Sequence, residues 1–167
     1  MKWRDKKRLW ADPSIVAENE RWLRYGNEYL ESSRLEYSQL LDLPKIFVGR
    51  KVNRGSLYPL AVQLDTTGLC PDNNIFCVLP TTEAGKYVRG YENDEFPEGW
   101  EQLDYEEQIL WLLGILSSRI ANALSLIGRK THEITLSELC KLQLPGKINL
   151  DVIKITRLII ERDQNHT

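Results

Sequence analysis

The stretch from Asp104 to Gly128, DYEEQILWLLGILSSRIANALSLIG, constrains what this chain can fold into more than any other. Asp104 has an N-cap side chain and Glu107, three positions on, completes a capping box, so a helix start is written into the sequence here. Gly128 follows the last apolar residue and reads as the C-terminal stop. On a helix drawn over 105–127, apolar side chains occupy most of the circumference, the pattern of an element covered on several sides. Ser117, Ser118, Arg119 and Asn122 interrupt the run and an acidic turn precedes it, which fits a buried core helix better than a membrane span. Leu113 and Ile120 are expected core positions. The rest of the chain must supply the layers that cover this helix.

Those layers are legible as short strands and further helices. Residues 45–50 (KIFVGR), 57–64 (LYPLAVQL) and 74–79 (NIFCVL) are rich in β-branched and aromatic side chains and bounded by Gly, Pro, Asn and Asp, which is strand chemistry. Pro59 argues for an edge position or a bulge in the second. Upstream, Asp12-Pro13 resembles an N-cap with a first-turn proline, and Ile15, Val16, Trp22, Leu23, Tyr29 and Leu30 recur at broadly helical spacing up to residue 41. Downstream, Thr135 and Glu138 form a second capping box for a short helix ending near Pro145. A last helix over 150–162 places Val152, Ile155 and Ile159 on one stripe, with Arg157, Glu161 and Arg162 outside it. The expected fold is α/β of the α+β kind: a small mixed or antiparallel sheet with an N-terminal helical segment, a central buried helix and a C-terminal helix. A chain of 167 residues suits one such domain, here 13–163, preceded by a basic arm over 1–12.

Charge is unevenly distributed. The formal net charge of -2 excludes a uniformly basic nucleic-acid coat. Residues 2–8 nevertheless hold five basic side chains against one aspartate, beside Trp3 and Trp10, and read either as a solvated terminus or as a phosphate-contacting arm. From Glu83 to Glu107 there are nine acidic residues and only Lys86 and Arg89 as bases, so an acidic surface loop over 83–103 is expected. It would repel DNA, and marks a face turned away from it or toward a protein partner. Between these lies the basic stretch PKIFVGRKVNRGS. Strands would hold Lys45, Arg50 and Lys51, while Asn53, Arg54, Gly55 and Ser56 form a turn able to approach a phosphate backbone. Lys45, Arg50, Lys51, Asn53, Arg54 and Ser56 are therefore the candidate DNA-binding residues, and a merely solvated hairpin tip is the competing reading.

Several chemistries find no support. Cys70, Cys77 and Cys140 are odd in number and form no CxxC pair, which speaks against a disulfide framework or zinc ribbon and for a reducing cytoplasm. The basic start is not followed by an apolar run of signal-peptide length. GRKVNRGS lacks the glycine spacing and Gly-Lys-Ser/Thr ending of a phosphate loop. His132 and His166 sit at a helix stop and in the tail, where solvent exposure is the ordinary outcome. Pro71-Asp72 followed by Glu83 and Lys86 approximates a metal-dependent nuclease pattern, but that Glu and Lys are three apart, whereas side chains sharing a strand face are two apart. No catalytic residue, metal ligand or cofactor site is expected.

PKIFVGRKVNRGSLYPLAVQLD, then NNIFCVLP, then LLGILSSRIANALSLI, and finally ITLSELCKLQLPGKIN together resemble the TaqI-like C-terminal specificity domain, the target-recognition domain of adenine-specific DNA methyltransferases in restriction-modification systems. The likeness spans about residues 25–160. It implies an α/β domain that clamps double-stranded DNA opposite a catalytic domain, with the basic hairpin at 45–56 where such a role belongs. The chain departs from full methyltransferases in lacking an Asn/Asp-Pro-Pro-Tyr/Phe motif and a glycine-rich S-adenosylmethionine loop. The resemblance thus implies a non-catalytic module that works with an adenine-specific methyltransferase or restriction-methylation subunit, separate or split. A standalone protein-interaction domain is the alternative of a different class.

Overall fold

A three-stranded antiparallel sheet and four α-helices make up the described part of the chain, a mixed α+β architecture. The computed structural model describes residues 43–52, 55, 56, 58–69, 71, 74–80, 96–127 and 131–165. The basic arm, the helix expected over 13–41 and most of the acidic loop lie outside the described residues.

The strands are β1 (Lys45–Gly49), β2 (Val62–Asp65) and β3 (Ile75–Val78), in the order β2-β1-β3. As the middle strand, β1 is buried along its whole length, which is why its sequence shows a continuous apolar run rather than alternation. Ile46 stands opposite Leu64 and Val78, and Val48 opposite Val62 and Phe76. β2 starts at Val62, later than its apolar run suggests, because Pro59 has no N–H to give to the ladder.

The capping box forms as its chemistry requires: an Asp104 carboxylate oxygen accepts the Glu107 N–H at 2.8 Å, and Glu107 accepts the Asp104 N–H at 3.2 Å. The helix it opens, α1, spans Tyr105–Ser117 and not the full 105–127. Ser118 is extended, with ψ 155°, and its hydroxyl accepts the Ala121 N–H to cap a separate helix, α2 (Arg119–Leu124). Ser117 also donates to the Leu113 carbonyl at 2.6 Å, so the paired serines offer the backbone local partners that compete with a continuous helix. The break decides burial. Leu113 is fully buried, but Ile120, expected in the core, is 74% exposed.

The helix α3 (Leu136–Cys140) opens at the second capping box, where Thr135 and Glu138 bond reciprocally. The long C-terminal helix α4 (Leu150–Asn165) runs antiparallel to α1, with Val152 and Thr156 beside Gly114 and Arg157 beside Glu106. It buries Ile153, Thr156, Ile160 and Asp163, so the stripe read from the sequence is rotated: Val152 and Ile159 are half-buried and Ile155 is exposed. Gly114 explains the rotation. A Cβ there would lie 2.5 Å from Thr156 Oγ1 and 2.6 Å from Val152 Cγ1, so the bare glycine lets α4 seat its Thr156 side directly on α1. Ile46, Val48, Val62 and Leu64 from the sheet meet Ile109, Trp111, Leu113 and Leu116 of α1 in the core. No helix among the described residues is long and apolar enough to cross a membrane.

Candidate nucleic-acid interface

β1 leads directly into the basic stretch, and hydrogen bonds hold its exit on three sides. Gly49 N–H donates to Ala61 O at 2.8 Å, and Arg50 N–H to Asn74 O at 2.9 Å. Beyond them, Val52 N–H donates to His132 O and Ile134 N–H to Arg50 O, both at 2.7 Å, with an antiparallel bridge between Lys51 and Glu133. Residues 50–52 are thus tied to 132–134 across an isolated antiparallel bridge, and are not a freely solvated hairpin tip.

The side chains on this edge differ in what they can do. Lys51 is exposed. Arg50 is anchored: its guanidinium lies 5.6 Å from the Phe76 ring centre, and Nη2 is 3.9 Å from Glu133 Oε2 with both side chains partly exposed. An ion pair of that length and exposure is weak and open to competition by another anion. Ser56 is spent partly on its own turn, its hydroxyl accepting the Tyr58 N–H at 3.1 Å. Asn53 and Arg54 lie outside the described residues.

Lys45 does not belong to the interface. Its side chain is 1% exposed and its ammonium sits 2.6 Å from Asp65, which is fully buried. The register places Lys45 directly opposite Asp65, and the carboxylate also accepts the N–H and hydroxyl of Thr67 and the N–H of Leu69. A buried lysine with a buried, fully hydrogen-bonded counter-charge organises the end of the sheet; it cannot reach a phosphate.

Four of the acidic residues that are described have structural partners: Glu98 pairs with Lys147, Glu106 with Arg157, and Asp104 and Glu107 cap α1; Glu101 is exposed. Among the described residues no group of three or more His, Cys, Asp or Glu could hold a metal ion, while Asp72 and Glu83 of the nuclease-like pattern lie outside them. His132 is exposed, and Cys77 and Cys140 are exposed thiols. The segment 131–134 was not singled out by its sequence. Its signal is the β-branched Thr131, Ile134 and Thr135, compressed between a helix stop and a capping box.

Comparison with known protein families, with curated proteins and with solved structures finds no match for this chain.

Proposed function

We propose that the chain is a non-catalytic DNA target-recognition module of a restriction-modification system, acting in the cytoplasm with an adenine-specific methyltransferase or restriction-methylation subunit and carrying no cofactor of its own. The observation that carries this reading is the placement of Arg50 and Lys51 at the exit of a buried strand bonded on both sides, which sets two cations on a rigid edge. Phosphate contacts position a protein on the duplex, and base-edge contacts then select sequence. Arg50, Lys51 and Arg54 take the first role; Asn53 and Ser56, with amide and hydroxyl groups, take the second. The sequence resemblance to TaqI-like specificity domains supplies the system and the partner.

The test is duplex-DNA binding by fluorescence anisotropy across a salt series, with the catalytic subunit added if the lone module binds too weakly. Each phosphate contact contributes about 0.9 to the slope of log affinity against log salt. Lys51→Ala with Arg54→Ala is expected to flatten that slope by about one to two units and to weaken all sequences alike. A wild-type slope in the double variant removes the hairpin from the DNA.

One observation favours a protein-interaction domain instead. Ile120 and Ile127 are each 74% exposed and Leu124 is 41% exposed, so α2 and the turn after it present an apolar stripe. On the leading reading the same stripe is available to the catalytic subunit.

A further inference from the structure

Two segments far apart in the chain meet at the basic edge, and the second brings an acid with it. Glu133 stands opposite Lys51 in the antiparallel bridge, and in such a pairing the two side chains project from the same face. Its carboxylate also lies 3.9 Å from the Arg50 guanidinium, and its side chain is half exposed. One carboxylate therefore lies against the Arg50 guanidinium and on the strand face that Lys51 shares. Its neighbours are fixed: the backbone bonds of Val52 to His132 and of Ile134 to Arg50, at 2.7 Å each, pin the register on either side of it.

We propose that the segment 131–134 is part of the DNA-contacting edge and that Glu133 is its affinity-setting residue, an internal anion that phosphate must displace from Arg50. The inference rests on the DNA-binding reading. Its physical basis is competition. Without DNA, Glu133 partly neutralises Arg50, which lies over Phe76; on binding, a phosphate oxygen takes its place. Such an anion lowers backbone affinity for every sequence. Non-specific binding is made almost wholly of backbone electrostatics, so the anion restrains indiscriminate binding most. A recognition module must leave wrong sites quickly, and a built-in competitor serves that end.

Glu133→Gln keeps the size of the side chain and one acceptor oxygen and removes its charge. Binding to a random-sequence duplex at about 0.1 M salt is expected to tighten about three- to tenfold, the effect of deleting one like charge a few ångströms from a phosphate contact in a solvent-rich site. The salt slope is expected to steepen by up to about one unit as phosphate meets Arg50 without a competing carboxylate. Glu161→Gln, an exposed change on α4 with the same effect on net charge, should leave both quantities within error of the wild type. If wild-type protein binds duplex with a salt-dependent affinity but Glu133→Gln matches it in affinity and slope, the inference is overturned and the DNA reading stands. If neither protein binds duplex, alone or with the catalytic subunit, both fall. If Glu133→Gln gains affinity for a poly-glutamate peptide and none for duplex, the edge serves an acidic protein and the assignment to DNA is wrong. Thermal melts of all variants, expected to coincide because Glu133 and Glu161 are exposed, show that binding is compared between folded proteins.

Discussion

Lys45→Met separates a lysine that binds DNA from one that holds the sheet together. The substitution keeps an unbranched side chain of similar length and deletes the charge, leaving the Asp65 carboxylate buried at 0% exposure without its ammonium partner at 2.6 Å. Removing one member of a buried ion pair costs about 3–5 kcal/mol, because the remaining charge is stranded in a poor solvent. Asp65 retains the two N–H groups and one hydroxyl that it accepts from Thr67 and Leu69, which places the expected loss near the lower end, about 3 kcal/mol. Against a total of about 5–15 kcal/mol for a domain, that is a large fraction. With a urea m-value of about 1–3 kcal/mol/M, the midpoint should fall by about 1–3 M at unchanged m. Lys45→Met combined with Asp65→Asn should recover part of the loss, since a neutral amide still offers Thr67 an oxygen and no longer needs a counter-ion. In DNA binding, Lys45→Met should keep the wild-type salt slope under conditions where it is folded, because this side chain reaches no phosphate. An unchanged urea midpoint together with a flattened salt slope would falsify the buried pair and return Lys45 to the interface.

Two further perturbations test the helical layer. Gly114→Val should destabilise by about 1–3 kcal/mol through overpacking against Thr156 and Val152, and Gly114→Ala paired with Val152→Ala should be milder than Gly114→Ala alone, as read by denaturant midpoints. Leu113→Asp should abolish a cooperative melt by placing an unpaired charge where exposure is 0%, whereas Ile120→Asp, at a site 74% exposed, should leave the melting temperature within a few degrees of the wild type; equal loss in both would mean that α1 continues unbroken through Ser118.

What the sequence disclosed and what it withheld divide along the range of the interaction. Both capping boxes formed because an N-cap and its partner three residues on are local chemistry, complete within one turn. β1 and β3 were legible because a run bounded by turn residues is also local. Lys45 was misread because a lysine at the head of a strand looks like a surface residue until the register sets Asp65 opposite it. The rotation of α4 depends on Gly114 in another helix, and no periodicity within 150–162 encodes that contact. The pair Ser117 and Ser118 gave a signal that was present but weaker than the apolar pattern around it; hydroxyls that bond the backbone locally turned the helix, and Ile120 left the core.

The same division bears on how the proposed interface would work. Arg50 and Lys51 are adjacent in sequence, yet the backbone from Gly49 to Val52 that carries them is held by partners from three other places: Ala61 beside β2, which accepts from Gly49, Asn74 before β3, which accepts from Arg50, and 132–134 beyond α2. Fixing a backbone residue costs about 1–2 kcal/mol in conformational entropy, and here folding has already met that cost before any ligand arrives. Arg50 is further restrained over Phe76, so its guanidinium occupies a narrow range of positions, while the exposed Lys51 keeps its rotamers. On the DNA reading, Arg50 then acts as a fixed register point on the backbone and Lys51 as an adaptable one. Two such contacts grip a duplex but carry no sequence information. Discrimination must come from groups that reach base edges from this edge, and in the sequence that follows it Asn53 and Ser56 have the donors and acceptors for that task.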